Sequence, residues 1–497
     1  MRAALIIGAM FLKAGALSLV LLLASRLLGL LRESTQAAAF GASGMGDVVV
    51  LMLTLPDWLT GVIASGALAY VLIPAWAGQS PAQVAASQRK LGWILLTGGG
   101  VLALLLAVWP QAAVQWLAGG LPQVMRPAAA DALICSAIAF PGALLAALWA
   151  TRLQHERDFT GMYAANLVVN GTLIVAIAWT AARVPASRAV PWLGAGLVLA
   201  MVLRLAWLRW RTPFPRAEEE LAATQPLPLP RAHMWWWASL SAGLPLALPF
   251  AARSIASQSG EGALATFNYA WKLVELPLLL AIQLVATLAL PAIAKAVAAR
   301  DEPSTAAAVR NSFALAWALA CAAAAALLLG APAIAALLFG WGRMDPMALT
   351  RVAQWGAIGA WGLLPQAVIA VALAVLAARG EMKLAVIAYG IALVSLLAYA
   401  ASGHVDGAGL MMALNTLQLA VAAMAASALG AQLRAWLPWR SMLISLVCLV
   451  VLAVLAAQVP VASWGLWPGL AAAVLAGLFV MAATWWGSAD LRAALAR

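Results

Sequence analysis

Two arginines and a glutamate interrupt an otherwise apolar run near the start of the chain, Ser25-Arg26-Leu27-Leu28-Gly29-Leu30-Leu31-Arg32-Glu33. A charge inside a membrane helix is costly and is retained where it faces a water-filled cavity or a partner. Guanidinium groups so placed favour an anionic cargo, because their planar fork can grip phosphate oxygens two at a time. A second polar set follows: Asp47, then Thr54, Asp57, Gly61 and Ser65. From Thr54 on, the three-to-four-residue spacing puts these residues on one helical face. Pro56 interrupts the hydrogen-bond ladder at the same level and frees carbonyls for a cavity. A third set comprises Glu261, Asn268, Lys272 and Glu275, preceded by Pro245, Pro249 and Arg253 at intervals of one turn. The chemistry these residues suggest is binding of a charged solute inside a helix bundle.

Signs of covalent chemistry are missing from the sequence. No Gly-rich phosphate loop ends in Lys-Ser or Lys-Thr, so ATP-driven pumping would need a separate motor chain. His155, His233 and His404 are isolated, without the spacing of a metal site. His155, in Gln154-His155-Glu156-Arg157-Asp158, reads as part of a solvated turn. Cys135, Cys321 and Cys448 fall in apolar segments and read as small core residues. No nucleophile and base share a face. The expectation is a transporter, with no catalytic residues, no metal and no cofactor.

The elements that must position these residues follow from composition. The chain is 65% hydrophobic and 9% charged over 497 residues. A membrane helix needs roughly 20 apolar residues to cross about 30 Å of hydrocarbon. About fourteen such segments can be placed, centred near Val20, Leu53, Leu104, Ala139, Leu173, Leu197, Leu244, Leu279, Ala323, Ala367, Val394, Val421, Val450 and Ala472. The fold class is therefore an all-α polytopic membrane protein, twelve helices forming two lobes around a central cavity and two lying peripherally at the C-terminal end. Barrel strands would be short and alternating, which these runs are not.

Lys and Arg concentrate in the connections after even-numbered segments, including Arg89, Lys90, Arg152, Arg157 and the series from Arg204 to Arg231. The positive-inside rule then makes those connections cytoplasmic and places both termini inside. It also accounts for the net charge of +12 without nucleic acid. A hydrophilic stretch with Glu218-Glu219-Glu220 and a Pro-rich tract ending at Pro230 reads as a joint between lobes. The expected division is an N-terminal lobe over 1–211, a cytoplasmic linker over 212–233, a C-terminal lobe over 234–435 and two last helices over 436–497. Trp436, Trp439, Trp464, Trp467, Trp485 and Trp486 cluster at segment ends, as interfacial anchors do.

Several motifs are similar to one family. The first-helix motif above, Phe40-Gly41-Ala42-Ser43-Gly44-Met45-Gly46-Asp47, Leu55-Pro56, the stretch from Leu153 through Asn166 to Asn170, and Asn268-Tyr269-Ala270-Trp271-Lys272-Leu273-Val274-Glu275-Leu276-Pro277 resemble the MurJ/MviN lipid II flippases. These belong to the multidrug/oligosaccharidyl-lipid/polysaccharide exporter superfamily. The resemblance implies movement of undecaprenyl-pyrophosphate-linked muropeptide from the inner to the outer leaflet of the bacterial inner membrane, by alternating access around a cationic cavity. It implies that Arg26 and Arg32 are the essential first-helix arginines, that Asp47 is the second-helix acid, and that the last two helices form a groove for the lipid tail. The chain departs from the family pattern at Thr60 and Gly61, where basic residues are usual. It departs also at Ser65, where an acid is usual, and at Lys272, where an arginine is usual.

The expected binding set is Arg26, Arg32, Glu33, Asp47, Asp57, Arg253, Asn268, Lys272 and Glu275. Expected partners are the lipid-linked saccharide, membrane lipids and, as candidates, cell-wall synthesis proteins. Coupling to the membrane potential, to H+ or to Na+ stays open. The alternatives are a flippase for another polyprenyl-linked saccharide and a cation-coupled small-molecule exporter. A membrane polymerase or ligase would carry a large extracytoplasmic loop with acidic or histidine residues. The odd-numbered connections here are short.

Overall fold

The computed structural model describes residues 2–62, 67–212, 230–403 and 405–496, and side chains from Leu17 onward except Ser18 and Leu19. Ser65, His404 and most of the Pro-rich tract lie outside the described residues. Every regular element described is helical. Each of the fourteen expected segment centres falls within a helix, Leu279 in a short π-helical stretch over Leu278–Ile282. Among the described residues, eleven helices are long and apolar enough to cross a membrane, and a bent pair makes up to twelve. Large apolar side chains such as Leu104, Val175, Val394, Leu443 and Leu478 point outward, more than half exposed. In water such a surface would be untenable; in lipid it is the normal exterior. The chain is a multi-pass membrane protein.

Contacts divide the chain into two compact units, Met1–Ala247 and Leu248–Arg497. The first contains α1 (Arg2–Phe40), α2 (Gly44–Val62), α3 (Ala69–Trp76), α4 (Pro81–Val108), α5 (Pro110–Ala118), α6 (Arg126–His155), α7 (Phe159–Arg183) and α8 (Ala189–Arg211). It also takes the first part of α9 (Ala232–Ala256), whose Trp235 and Ala238 pack with Ala67 and Val71. The unit boundary thus falls inside α9 rather than before it. Gly243 makes this approach close: a Cβ there would lie 3.1 Å from a Val62 methyl.

Side-chain caps set the starts of two helices in this unit. Ser80 and Gln83 form a reciprocal capping box on α4, and Asp158 accepts from the Gly161 N–H at 2.9 Å to start α7. The segment before α7 differs from the expected solvated turn. His155 is the last residue of α6 and meets the fully buried Trp76 edge-on, ring centroids 5.6 Å apart. Arg152 is buried inside α6, paired with Glu156 at 2.7 Å, and is not a loop cation. Arg211 closes the same end by pairing with Asp158 at 2.7 Å.

The second unit comprises the rest of α9 with α10 (Ala263–Pro277), α11 (Gln283–Ala298), α12 (Glu302–Phe339), α13 (Pro346–Ala360), α14 (Leu363–Arg379), α15 (Lys383–Ala401), α16 (Gly407–Ala428), α17 (Leu433–Trp436), α18 (Trp439–Gln458), α19 (Leu466–Gly487) and α20 (Ala489–Leu495). Long α12 is its centre, packing on α13, α14, α18 and most extensively on α19. The last helices thus lie at the exterior of this unit and pack firmly on it. A seam of small residues makes that possible: Gly330 faces Ala473, and a Cβ on Gly469 would lie 2.6 Å from that of Ala333. Close backbone approach through small residues is the usual way membrane helices associate.

α13 and α14 form one span bent by 47° at Trp361 and Gly362. The bend leaves helix-end carbonyls inside the unit, where they need donors. Asn415 on α16 supplies one, its Nδ2 donating to Ile358 O at 2.7 Å, while Gln366 Nε2 donates to Gln418 Oε1 at 3.2 Å. A Cβ on Gly362 would lie 2.5 Å from Asn415 Oδ1 and 2.6 Å from Gln418 Oε1. Only glycine lets this amide pair close over the bend. Of the tryptophans, Trp439, Trp467 and Trp486 are exposed as expected, but Trp436 is buried beneath Arg379, whose guanidinium carbon lies 5.2 Å from the ring centroid.

Candidate functional site

In the first unit the site is centred on Arg32. It sits on α1 one turn before Gln36, and both side chains are buried. Its Nη2 donates to Glu33 Oε1 and to Asp57 Oδ2, each at 2.9 Å. The three groups differ in exposure: the side chains are 8% exposed for Arg32, 4% for Glu33 and 52% for Asp57. Asp57 follows Pro56 on α2, so the proline break and the only water-facing member of the trio coincide.

A fourth member was not expected. Arg204 was counted with the cytoplasmic connections, yet it lies inside α8, buried to 8% exposure. Its Nη2 donates to Asn166 Oδ1 on α7 at 3.2 Å, and it lies within electrostatic reach of Asp57. The signal in the sequence was its setting: Met201-Val202-Leu203-Arg204-Leu205-Ala206-Trp207 is apolar around it, unlike the surroundings of Arg209 and Arg211. The four ionic groups carry two positive and two negative formal charges. The first unit thus holds a charge-balanced cluster at this level, not a purely cationic one.

Arg26 is exposed on α1, within electrostatic reach of Tyr163 on α7. α1 passes α7 closely at Gly29, where a Cβ would lie 3.7 Å from Asn170 Nδ2. Asp47 is fully buried in the first turn of α2, where a carboxylate is favoured by the helix dipole. Ten residues separate it from Asp57, which is about 15 Å of helical rise. These two acids of α2 therefore lie at different levels and do not form one site.

In the second unit, Asn268, Lys272 and Glu275 lie on α10 as expected, but Glu261 does not: it is exposed in the turn before the helix. Lys272 Nζ pairs with Glu275 Oε2 at 2.6 Å, the side chains 21% and 25% exposed. Asn268, one turn earlier, is fully buried. Arg253, in the last turn of α9, is half-buried, and its Nε has no hydrogen-bond partner among the described residues. A partly exposed Lys–Glu pair three residues apart contributes only about 0.3–0.5 kcal/mol. Lys272→Gln is accordingly expected to move the thermal midpoint of purified protein by no more than about 2 °C; a large loss of stability would make Lys272 a packing residue.

Among the described residues no cluster of His, Cys, Asp and Glu could hold a metal ion. The site's chemistry is that of guanidinium, carboxylate and amide groups, which can bind and release an anion.

Comparison with known proteins points one way. The family model described as lipid II flippase MurJ matches residues 36–484. A probable lipid II flippase MurJ from Rhizobium meliloti (strain 1021) is 28% identical over 295 residues, 55% of this chain and 53% of the relative. The chain thus spans about half the length of that curated relative in the match. Among solved structures, a lipid II flippase MurJ in an inward closed conformation matches with a TM-score of 0.76 at 14% identity, covering 95% of this chain and 99% of that one. An inward-facing multidrug resistance MATE family transporter of the MOP superfamily matches with a TM-score of 0.67 at 14% identity, over 87% and 98% of the two chains.

Proposed function

We propose, for a chain that belongs to the lipid II flippase MurJ family, that it moves lipid II, the undecaprenyl-pyrophosphate-linked muropeptide, from the inner to the outer leaflet of the bacterial cytoplasmic membrane. The observation that carries this reading is Arg32: a buried guanidinium in an apolar helix, held by one buried and one water-facing carboxylate. Such a group is expensive in a membrane unless it meets water, a charged partner or a charged ligand. A pyrophosphate linkage between sugar and lipid supplies that ligand. The site opens alternately toward the two leaflets, both termini lie in the cytoplasm, and the last helices guide the lipid tail. The protein makes and breaks no covalent bond in this cycle. Cell-wall synthesis enzymes that consume the product are its natural partners.

Coupling to the membrane potential would supply about 2.3 kcal/mol per charge moved through 100 mV. An ion-coupled small-molecule exporter is the second reading, supported by the fold shared with a MATE family transporter. The two part on one experiment. Purified protein in liposomes bearing labelled lipid II in the inner leaflet should bring the label to an external quencher, in wild type but not in Arg32→Ala. Absence of lipid II movement together with export of cationic dyes would establish the second reading instead.

A further inference from the structure

The Arg32 cluster contains one exchangeable partner. Glu33, adjacent on the same helix, is 4% exposed and stays with Arg32, whereas Asp57 comes from another helix and is 52% exposed. The cluster also carries donors that no acceptor meets. Arg32 Nε, Arg204 Nε and Gln36 Nε2 are all buried and lack a hydrogen-bond partner among the described residues. A buried donor without an acceptor costs about 1–3 kcal/mol, so such a group of donors awaits oxygen atoms. A carboxylate offers two oxygens; a diphosphate offers several more, with the geometry that guanidinium forks match.

We propose that Asp57 is an internal stand-in for the cargo's phosphate, displaced when a diphosphate-bearing ligand binds Arg32 and Arg204. This rests on the reading of the protein as a carrier of a lipid-linked diphosphate and names the ligand set within it. In the empty site the carboxylate offsets the two guanidiniums and holds Arg32 in place. On binding, Asp57 turns to water, which its exposure permits, and the ligand's oxygens accept from Arg32 Nη2 in its place and from the orphaned donors. The same carboxylate then re-enters and helps expel the cargo. Asp57 is a competitor that sets affinity, and Arg204 is a cargo-binding residue.

The test is binding of undecaprenyl pyrophosphate to the full-length protein in detergent micelles. Asp57→Asn should bind about tenfold more tightly, since an opposing ion pair worth about 1.4 kcal/mol has been removed. Arg204→Gln should bind at least tenfold more weakly, with Arg204→Lys between it and wild type. Unchanged or weaker binding by Asp57→Asn, or no binding by any variant, overturns the proposal. Lipid II movement by the wild type in liposomes separates the two layers. Binding with the expected order but no lipid II movement would remove lipid II as cargo and leave the displacement mechanism standing. Lipid II movement with unaltered affinity in Asp57→Asn would do the reverse.

Discussion

Arg32→Ala is expected to abolish lipid II movement and also to destabilise the first unit. The second effect follows from burial. Arg32 holds Glu33, whose side chain is 4% exposed, and breaking a buried pair by removing one partner costs about 3–5 kcal/mol. An arginine that faces water in a cavity, as the sequence suggests, could be lost without harm to folding. The structure reverses that, because Arg32 is buried and held by Glu33 and Asp57, of which only Asp57 opens to water. Arg32→Lys separates the roles. It keeps the charge beside Glu33 but loses the planar fork. It should recover most of the thermal midpoint of detergent-purified protein and little of the transport. Full transport by Arg32→Lys would show that a point charge suffices and that bidentate grip is unnecessary.

Gly330→Ala is expected to unseat α19 from α12, although alanine is otherwise the better helix former. The added methyl would meet the Ala473 methyl and lie 3.3 Å from Gly469 O, a backbone atom that cannot yield by rotating a bond. Overpacking of this kind costs about 1–3 kcal/mol, against a gain of about 0.5–1 from replacing a helical glycine. Gly477→Ala provides the contrast. Its Cβ would find Ala322 O at 3.5 Å and Ala326 Cβ at 3.9 Å, ordinary contacts, so it should be neutral or stabilising. Thermal unfolding followed by size-exclusion chromatography reads both. Equal midpoints for the two variants would mean that the seam adapts and that close approach at Gly330 is not required.

The helices themselves were legible because hydrophobic run length is so strong a signal in membrane chains: all fourteen expected centres lie in helices. The Arg32–Glu33–Asp57 ion pairs join residues that stand out in the sequence for the same reason, as charge in an apolar run. Arg204 and Arg152 were not. A count of basic residues treats any arginine near a segment end as loop, but both lie within helices with their guanidiniums buried. Asp47 and Asp57 share a helix and look like one site in sequence; the rise along α2 separates them. The unit boundary inside α9 was hidden because the Pro-rich tract is the conspicuous break in composition, whereas packing of Trp235 and Ala238 follows shape. The Gly362 bend was invisible because the amides packed against it, Asn415 and Gln418, lie about fifty residues away.

The measurement that tests the central claim most directly is replacement of the essential lipid II flippase in living cells by this protein, with lipid II in the outer leaflet assayed at the same time. The account predicts growth and outer-leaflet lipid II with the wild type, and neither with an Arg32→Ala variant present at equal abundance in the membrane. Correct insertion and full abundance of the wild type without outer-leaflet lipid II would contradict it, and would assign the arginine site to a different anionic cargo.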